Sequence, residues 1–288
     1  MSQSFNRGLS SVLLQDLLEG PCGTLLRACQ RRGLDVRLRE NYLNLYFQGR
    51  SLARIVGRNR LPAKLEIHHQ YLFHDRIGDH VARRSKDVCV FDVDAAFAKA
   101  YAAHLDAMIE RAGPRAGKEE KVERQLLEHN DSTAAVCLFD RQIQVPGIRR
   151  KLDLMGFLDG KVPALVAIEV KRYYDTRIQD VPRQLHGYLE IFDPRQEGLD
   201  DEVAQSYRNV CEQLRTLGLS APDPTQITAG MPVKGLVIVS KYNPVSCLLP
   251  RAHELAATLE RPLYLWETPA EGKFRIPVPE QWVRMGSQ

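Results

Sequence analysis

Residues 149–188 read RRKLDLMGFLDGKVPALVAIEVKRYYDTRIQDVPRQLHGY, and the rest of the chain is read outward from them. Ala164 to Ile168 is a continuous apolar run, the pattern of a buried strand. The run ends in Glu169-Val170-Lys171, where a carboxylate and an ammonium are costly unless paired or bound to a metal. Side chains alternate along a strand, so Glu169 and Lys171 fall on one face while Ile168 and Val170 take the other. Upstream, Asp153 stands between Leu152 and Leu154 and points away from both. The stretch Leu158-Asp159-Gly160-Lys161-Val162-Pro163 reads as a hairpin turn, which places Asp153 opposite residue 168 or 169. Two carboxylates and a lysine are therefore expected at one sheet edge.

The chain holds four (D/E)-x-K tripeptides: Glu119-Glu120-Lys121, Asp159-Gly160-Lys161, Glu169-Val170-Lys171 and Glu271-Gly272-Lys273. The first lies in a polar helical pattern, and the second and fourth contain glycine as turns do. Only the third closes an apolar strand. The set suits hydrolysis of a phosphodiester, which calls for a hard divalent cation on carboxylate oxygens and a lysine beside it. Such a lysine orients or helps deprotonate water and stabilises the charge of the transition state.

Composition narrows the remaining possibilities. At 288 residues, 44% of them hydrophobic, the chain is long enough for a main domain and a smaller one. Its apolar runs are too short to span a bilayer, and Gln15 and Asp16 break the apolar stretch of the N-terminus, so no membrane partner and a cytoplasmic location are expected. Cys22, Cys29, Cys89, Cys137, Cys211 and Cys247 form no C-x-x-C pattern, which speaks against a zinc knuckle, a redox motif or a cysteine-ligated cluster and for buried, reduced thiols. The net charge of +4 is mild, but residues 1–64 carry 11 Lys/Arg against four acids. That excess fits either phosphate binding or an arginine-rich solvated surface.

In chain order, residues 8–30 predict one or two helices broken at Gly20-Pro21. LDVRLR, YLNLYFQ, LARIVGR and KLEIHHQYL then predict a small, partly open antiparallel sheet with an arginine face. His68 and His69 are expected on opposite strand faces and, with His74 and His80, are read as surface or hydrogen-bonded histidines without a zinc site. A change from strand to helix near residues 83–92 places a domain boundary there. The next helix buries Phe97, Tyr101, Leu105 and Met108, and another spans Lys118 to His129. Strand begins again at Ala134. A helix near Val203 to Leu217 follows, then the strand KGLVIVSKYN, the helix RAHELAATLE and the strand PLYLWET. After the site strand, Asp180 is expected to cap a helix with Pro182 in its first turn and Val181, Leu185, Leu189 and Phe192 buried.

This order, with LDLMGFLDG followed by AIEVK, resembles the PD-(D/E)XK nuclease superfamily over roughly residues 115–192. Asp153 stands for its first acid, Glu169 for the second and Lys171 for the lysine; Gln184 and Tyr188 resemble the Gln-x-x-x-Tyr element of the RecB-like branch. Leu152 stands where that pattern often has proline, and the cysteine spacing excludes the branch with a four-cysteine cluster. The family's helix acid is open among Glu119, Glu120, Glu123 and Glu128, with Glu123 favoured beside Val122.

The resemblance implies a three-layer, restriction-endonuclease-like α/β core over residues 91–288, its mixed sheet flanked by helices, behind a basic β-rich module over residues 1–90. It implies Mg²⁺ (or Mn²⁺) held by Asp153, Glu169 and the Val170 carbonyl, with Lys171 catalytic and Glu123, Gln184 and Tyr188 in support. Arg149, Arg150, Arg172 and Arg183 are expected to contact nucleic acid, DNA above all. Restriction, repair or defence is the setting implied, and the N-terminal module is a candidate for binding DNA or a protein partner. The alternatives are a catalytically silent nuclease-fold subunit for DNA binding or assembly, and an RNA-directed nuclease.

Overall fold

A computed structural model describes residues 5, 7–57, 61–72, 74–112, 118–145, 147–172, 175–240, 248–269 and 274–287, the side chains of residues 118–120 excepted. The fold is mixed α/β, with seven α-helices and three sheets among the described residues. Internal contacts divide it into two compact units. One comprises Arg7–Lys121 with Gln213–Gly218; the other comprises Met1–Asn6, Val122–Glu212 and Leu219–Gln288.

In the unit built on Arg7–Lys121, α1 (Ser11–Glu19) and α2 (Pro21–Arg31) meet at Gly20. The Ser10 side chain caps α1 by accepting from the Leu13 amide, and Pro21 opens α2 where its missing N–H costs nothing. Strands β1 (Asp35–Arg39), β2 (Tyr42–Phe47), β3 (Arg50–Val56) and β4 (Lys64–His68) follow. Gln48 and Gly49 join β2 to β3 with φ of 47° and 86°, the two left-handed positions that a tight hairpin needs. A two-stranded sheet of β5 (Arg76–Ile77) and β6 (His80–Val81) precedes β7 (Arg83–Ser85) and β8 (Val88–Asp92). The main sheet runs β1-β2-β3-β4-β8-β7, wholly antiparallel.

Helix α3 (Ala95–Ala112) packs on α2 and β3, with Phe97, Tyr101, Leu105 and Met108 fully buried as their stripe predicts. These contacts place the division between the units after Lys121, whereas the change of pattern in the sequence falls near residue 90. The sheet also reaches Asp92, beyond the expected end of the strand-rich block.

Two further expectations are corrected in this unit, and a third, that of buried and reduced thiols, is met among the described cysteines. The arginine face is only partly solvated: Arg37, paired with Asp35 at 2.8 Å, and Arg39, which donates to the Tyr46 hydroxyl, are buried, while Arg54 pairs with Glu66 at 2.6 Å and keeps its side chain 41% exposed. His68 and His69 do not point to opposite faces, because the strand ends at His68 and a 3-10 turn begins at His69; their rings stack at 4.6 Å. Cys22, Cys29 and Cys89 here, like Cys137 and Cys211 in the other unit, are free and buried, while Cys247 lies outside the described residues.

The other unit takes most of α4 (Lys118–His129), then β9 (Val136–Gln144), β10 (Lys151–Leu158), β11 (Ala164–Arg172), α5 (Val181–Phe192) and α6 (Asp201–Thr216) as far as Glu212. Strand β12 (Val233–Ser240), α7 (Leu248–Ala257), β13 (Leu263–Glu267) and β14 (Val283–Arg284) complete it. Its sheet runs β14-β13-β12-β11-β10-β9. Strands β9, β10 and β11 are antiparallel neighbours, β11, β12 and β13 are parallel, and the short β14 adds an antiparallel edge. One core gathers Val122 and Leu126 of α4 with Leu154, Ile168, Val170 and Ile238 of the sheet. Helix α5 packs on β11 and β12 through Val181, Leu185, Leu189 and Phe192. Burying such side chains stabilises the fold by about 1.5–3 kcal/mol each before conformational entropy is counted. No helix among the described residues is long and apolar enough to cross a membrane.

Candidate metal centre at the edge of β11

Register brings the site together. Leu154 pairs with Ile168 across β10 and β11, which sets Asp153 level with Glu169, as the hairpin reading predicts. Ile168 and Val170 enter the apolar core with α4, so Glu169 and Lys171 turn to the other side. Asp153 Oδ2 accepts from the Val170 amide at 2.8 Å and from Lys171 Nζ at 3.2 Å. The same ammonium donates to Glu169 Oε2 at 3.0 Å and to the Val170 carbonyl at 2.9 Å. Three oxygens thus converge on one cation.

Glu169 is 1% exposed. Burial pushes its carboxyl well above the usual carboxylate range, the neighbouring charge of Asp153 pushes the same way, and Lys171 opposes both. Helix α5 adds a second anchor: Gln184 Nε2 donates to Glu169 Oε1 at 2.9 Å and to the Tyr188 hydroxyl at 3.3 Å. Tyr188 is fully buried, and burial raises its phenol. Its place is therefore beneath Gln184, in the protein interior. Asp180 does not cap α5, since it takes a helical conformation with no side-chain hydrogen bond to the helix start. Asp175 instead caps the 3-10 turn Thr176–Asp180 that leads into α5.

Glu123 is buried on α4, where Arg141 Nη2 donates to its Oε2 at 2.6 Å and Gln142 Nε2 donates to both of its oxygens at 3.2 and 3.3 Å. Burial pushes this carboxyl up to about 7 against the pull of Arg141, and the charge of Asp153 raises it further. It is thus held by Arg141 and Gln142 and feels the Asp153 charge. Glu128 pairs with Arg124 along the helix at 3.2 Å, and the side chains of Glu119 and Glu120 lie outside the described residues.

Gln142 has φ of 50°, a left-handed value uncommon for a residue with a Cβ. The twist lets consecutive residues Arg141 and Gln142 both reach Glu123, which a regular strand forbids. Strand alternation alone does not mark either residue. The signal was present, since Asp140-Arg141 interrupts the apolar pattern of residues 136–145 and a buried charge demands a partner.

Of the expected nucleic-acid contacts, Arg149, Arg150 and Arg183 are exposed and Arg172 is half-buried. Arg150 donates to Gln184 Oε1 at 3.1 Å.

The donor set fits a hard cation by its chemistry: two carboxylates and a backbone carbonyl, all oxygen, already gathered around a positive charge. Among the described residues no group of three or more His, Cys, Asp or Glu is arranged to hold a metal. Comparison with protein-family models, curated proteins and solved structures found no match to this chain.

Proposed function

We propose that this chain is a metal-dependent nuclease that hydrolyses DNA phosphodiester bonds on a restriction-endonuclease-like α/β core. The observation that carries the reading is the convergence of Asp153, Glu169 and the Val170 carbonyl on the Lys171 ammonium. The order α4, antiparallel β9–β11, α5, parallel β12 and β13 supports it.

Asp153, Glu169 and the Val170 carbonyl would hold Mg²⁺ or Mn²⁺, which when bound supplies Lewis-acid charge at a phosphate oxygen. Lys171 orients the attacking water and donates to a phosphoryl oxygen as negative charge grows there. Gln184 fixes the Glu169 carboxylate from the far side. Arg149, Arg172 and Arg183 offer phosphate contacts flanking the cut.

One observation favours a second reading. The three side chains also form a closed ion-pair network, which a silent nuclease-fold subunit for DNA binding or assembly could keep for structure. A substrate panel separates the two: linear, circular and single-stranded DNA and RNA, with Mg²⁺ or Mn²⁺, beside Asp153→Asn. DNA cleavage by the wild type that the variant loses is the expected result. Cleavage of RNA alone changes the substrate, and no metal-dependent cleavage of any substrate leaves the silent subunit.

A further inference from the structure

A chain of three hydrogen-bonded groups runs from the surface to the buried carboxylate. Exposed Arg150 donates from Nη1 to Gln184 Oε1 at 3.1 Å, and Gln184 Nε2 donates to Glu169 Oε1 at 2.9 Å. The other oxygen of Glu169 faces Lys171 at 3.0 Å. A primary amide has one accepting end and one donating end, a guanidinium only donates, and an ionised carboxylate only accepts. Arg150 and Glu169 therefore demand the same orientation of the Gln184 amide. Turned over, the amide would set its carbonyl against the carboxylate and its NH₂ against the guanidinium.

We propose that Arg150 is a positioning residue: by fixing the Gln184 amide it fixes Glu169, and so sets how tightly the carboxylate pair takes up a divalent cation. This inference rests on the metal-site reading above. An arginine that only gripped DNA would act on the cation through its charge, and removing a nearby positive charge strengthens cation binding. The two roles predict opposite signs.

The test is calorimetric titration of Mn²⁺ into DNA-free wild type, Arg150→Met, Arg150→Lys, Arg149→Met, Gln184→Ala and the Arg150→Met/Gln184→Ala double variant. Loss of an outer partner of a metal ligand typically costs about 10-fold or more in affinity, so Gln184→Ala is expected to weaken binding by about 10-fold and Arg150→Met, one link further out, by about threefold. Arg150→Lys keeps a donor and recovers most of the loss. The double variant binds no more weakly than Gln184→Ala, because the two residues act in series. Arg149→Met, which removes the same charge next door, leaves Mn²⁺ binding unchanged or tighter. Equal or tighter binding by Arg150→Met, or additive losses in the double variant, overturns the inference alone. Wild type that takes up no Mn²⁺ overturns the metal-site reading and this inference with it.

Discussion

Lys171 Nζ and Glu169 Oε2 face each other across 3.0 Å because the two residues stand two apart on one strand. The ammonium and a metal ion would share the same oxygens. Lys171→Met is therefore expected to tighten Mn²⁺ binding severalfold while lowering DNA cleavage by about 10²-fold or more, the scale of a lost proton-transfer group. Calorimetry and single-turnover cleavage on the same preparation read the two effects. A variant that loses both together would mean that the lysine only builds the site.

Asp153 has a second duty, as acceptor for the Val170 amide at 2.8 Å. Asparagine can keep that bond and alanine cannot. Both substitutions should abolish cleavage, but Asp153→Ala should be less stable than Asp153→Asn by about 1–3 kcal/mol, the cost of stranding a buried donor. Urea unfolding followed by circular dichroism measures the difference.

The Glu123 carboxyl is pushed up to about 7 and that of Glu169 is raised as well, both chiefly by burial. A raised folded-state pKa means that the folded protein binds protons more tightly than the unfolded chain. For Glu123 the associated stability is fully present below about pH 4.5 and is lost as pH rises through about 7, and Glu169 acts in the same direction. For Glu123 the change is on the order of 3 kcal/mol. Metal-free protein should accordingly lose stability between those pH values, and Glu123→Gln should flatten the profile of unfolding midpoint against pH. A midpoint that climbs over the same interval would show that the Arg141 pair outweighs burial.

Gly235 lies under α5, where an added Cβ would come within 2.7 Å of Leu263 Cδ2 and 3.1 Å of Leu185 Cδ2. Gly235→Ala is expected to cost about 1–3 kcal/mol through overpacking. Leu185 is the neighbour of Gln184, so the push should also loosen Gln184 and Tyr188 and lower kcat with little change in KM. Thermal unfolding and steady-state cleavage check the two halves, and unchanged kcat in a destabilised variant would separate α5 from the site.

What could be read from the sequence follows from regular geometry. Alternation along β11 and a short hairpin carried Asp153, Glu169 and Lys171 to one edge, and a helical stripe carried Gln184 and Tyr188 onto α5. Where the backbone departs from regularity, the sequence pattern carries no such signal. The left-handed turn at Gln142 brings it and Arg141 onto Glu123, and the register between β9 and β10 shifts between Met155 and Gly156, neither of which a period of two foresees. Composition cannot show that Arg37 and Arg39 of the first sheet are buried, the former against Asp35. Strand β7 is three exposed residues with no apolar signal, so the extent of that sheet was hidden as well.

The account stands most directly on single-turnover cleavage of end-labelled DNA with Mg²⁺ or Mn²⁺, comparing wild type with Glu169→Gln. Glu169→Gln keeps the shape of the site and removes one ligand charge. Metal-dependent cutting by the wild type, reduced by about 10²-fold or more in the variant, is the predicted result. Equal cleavage by the two proteins, or none by the wild type with either metal, would contradict it.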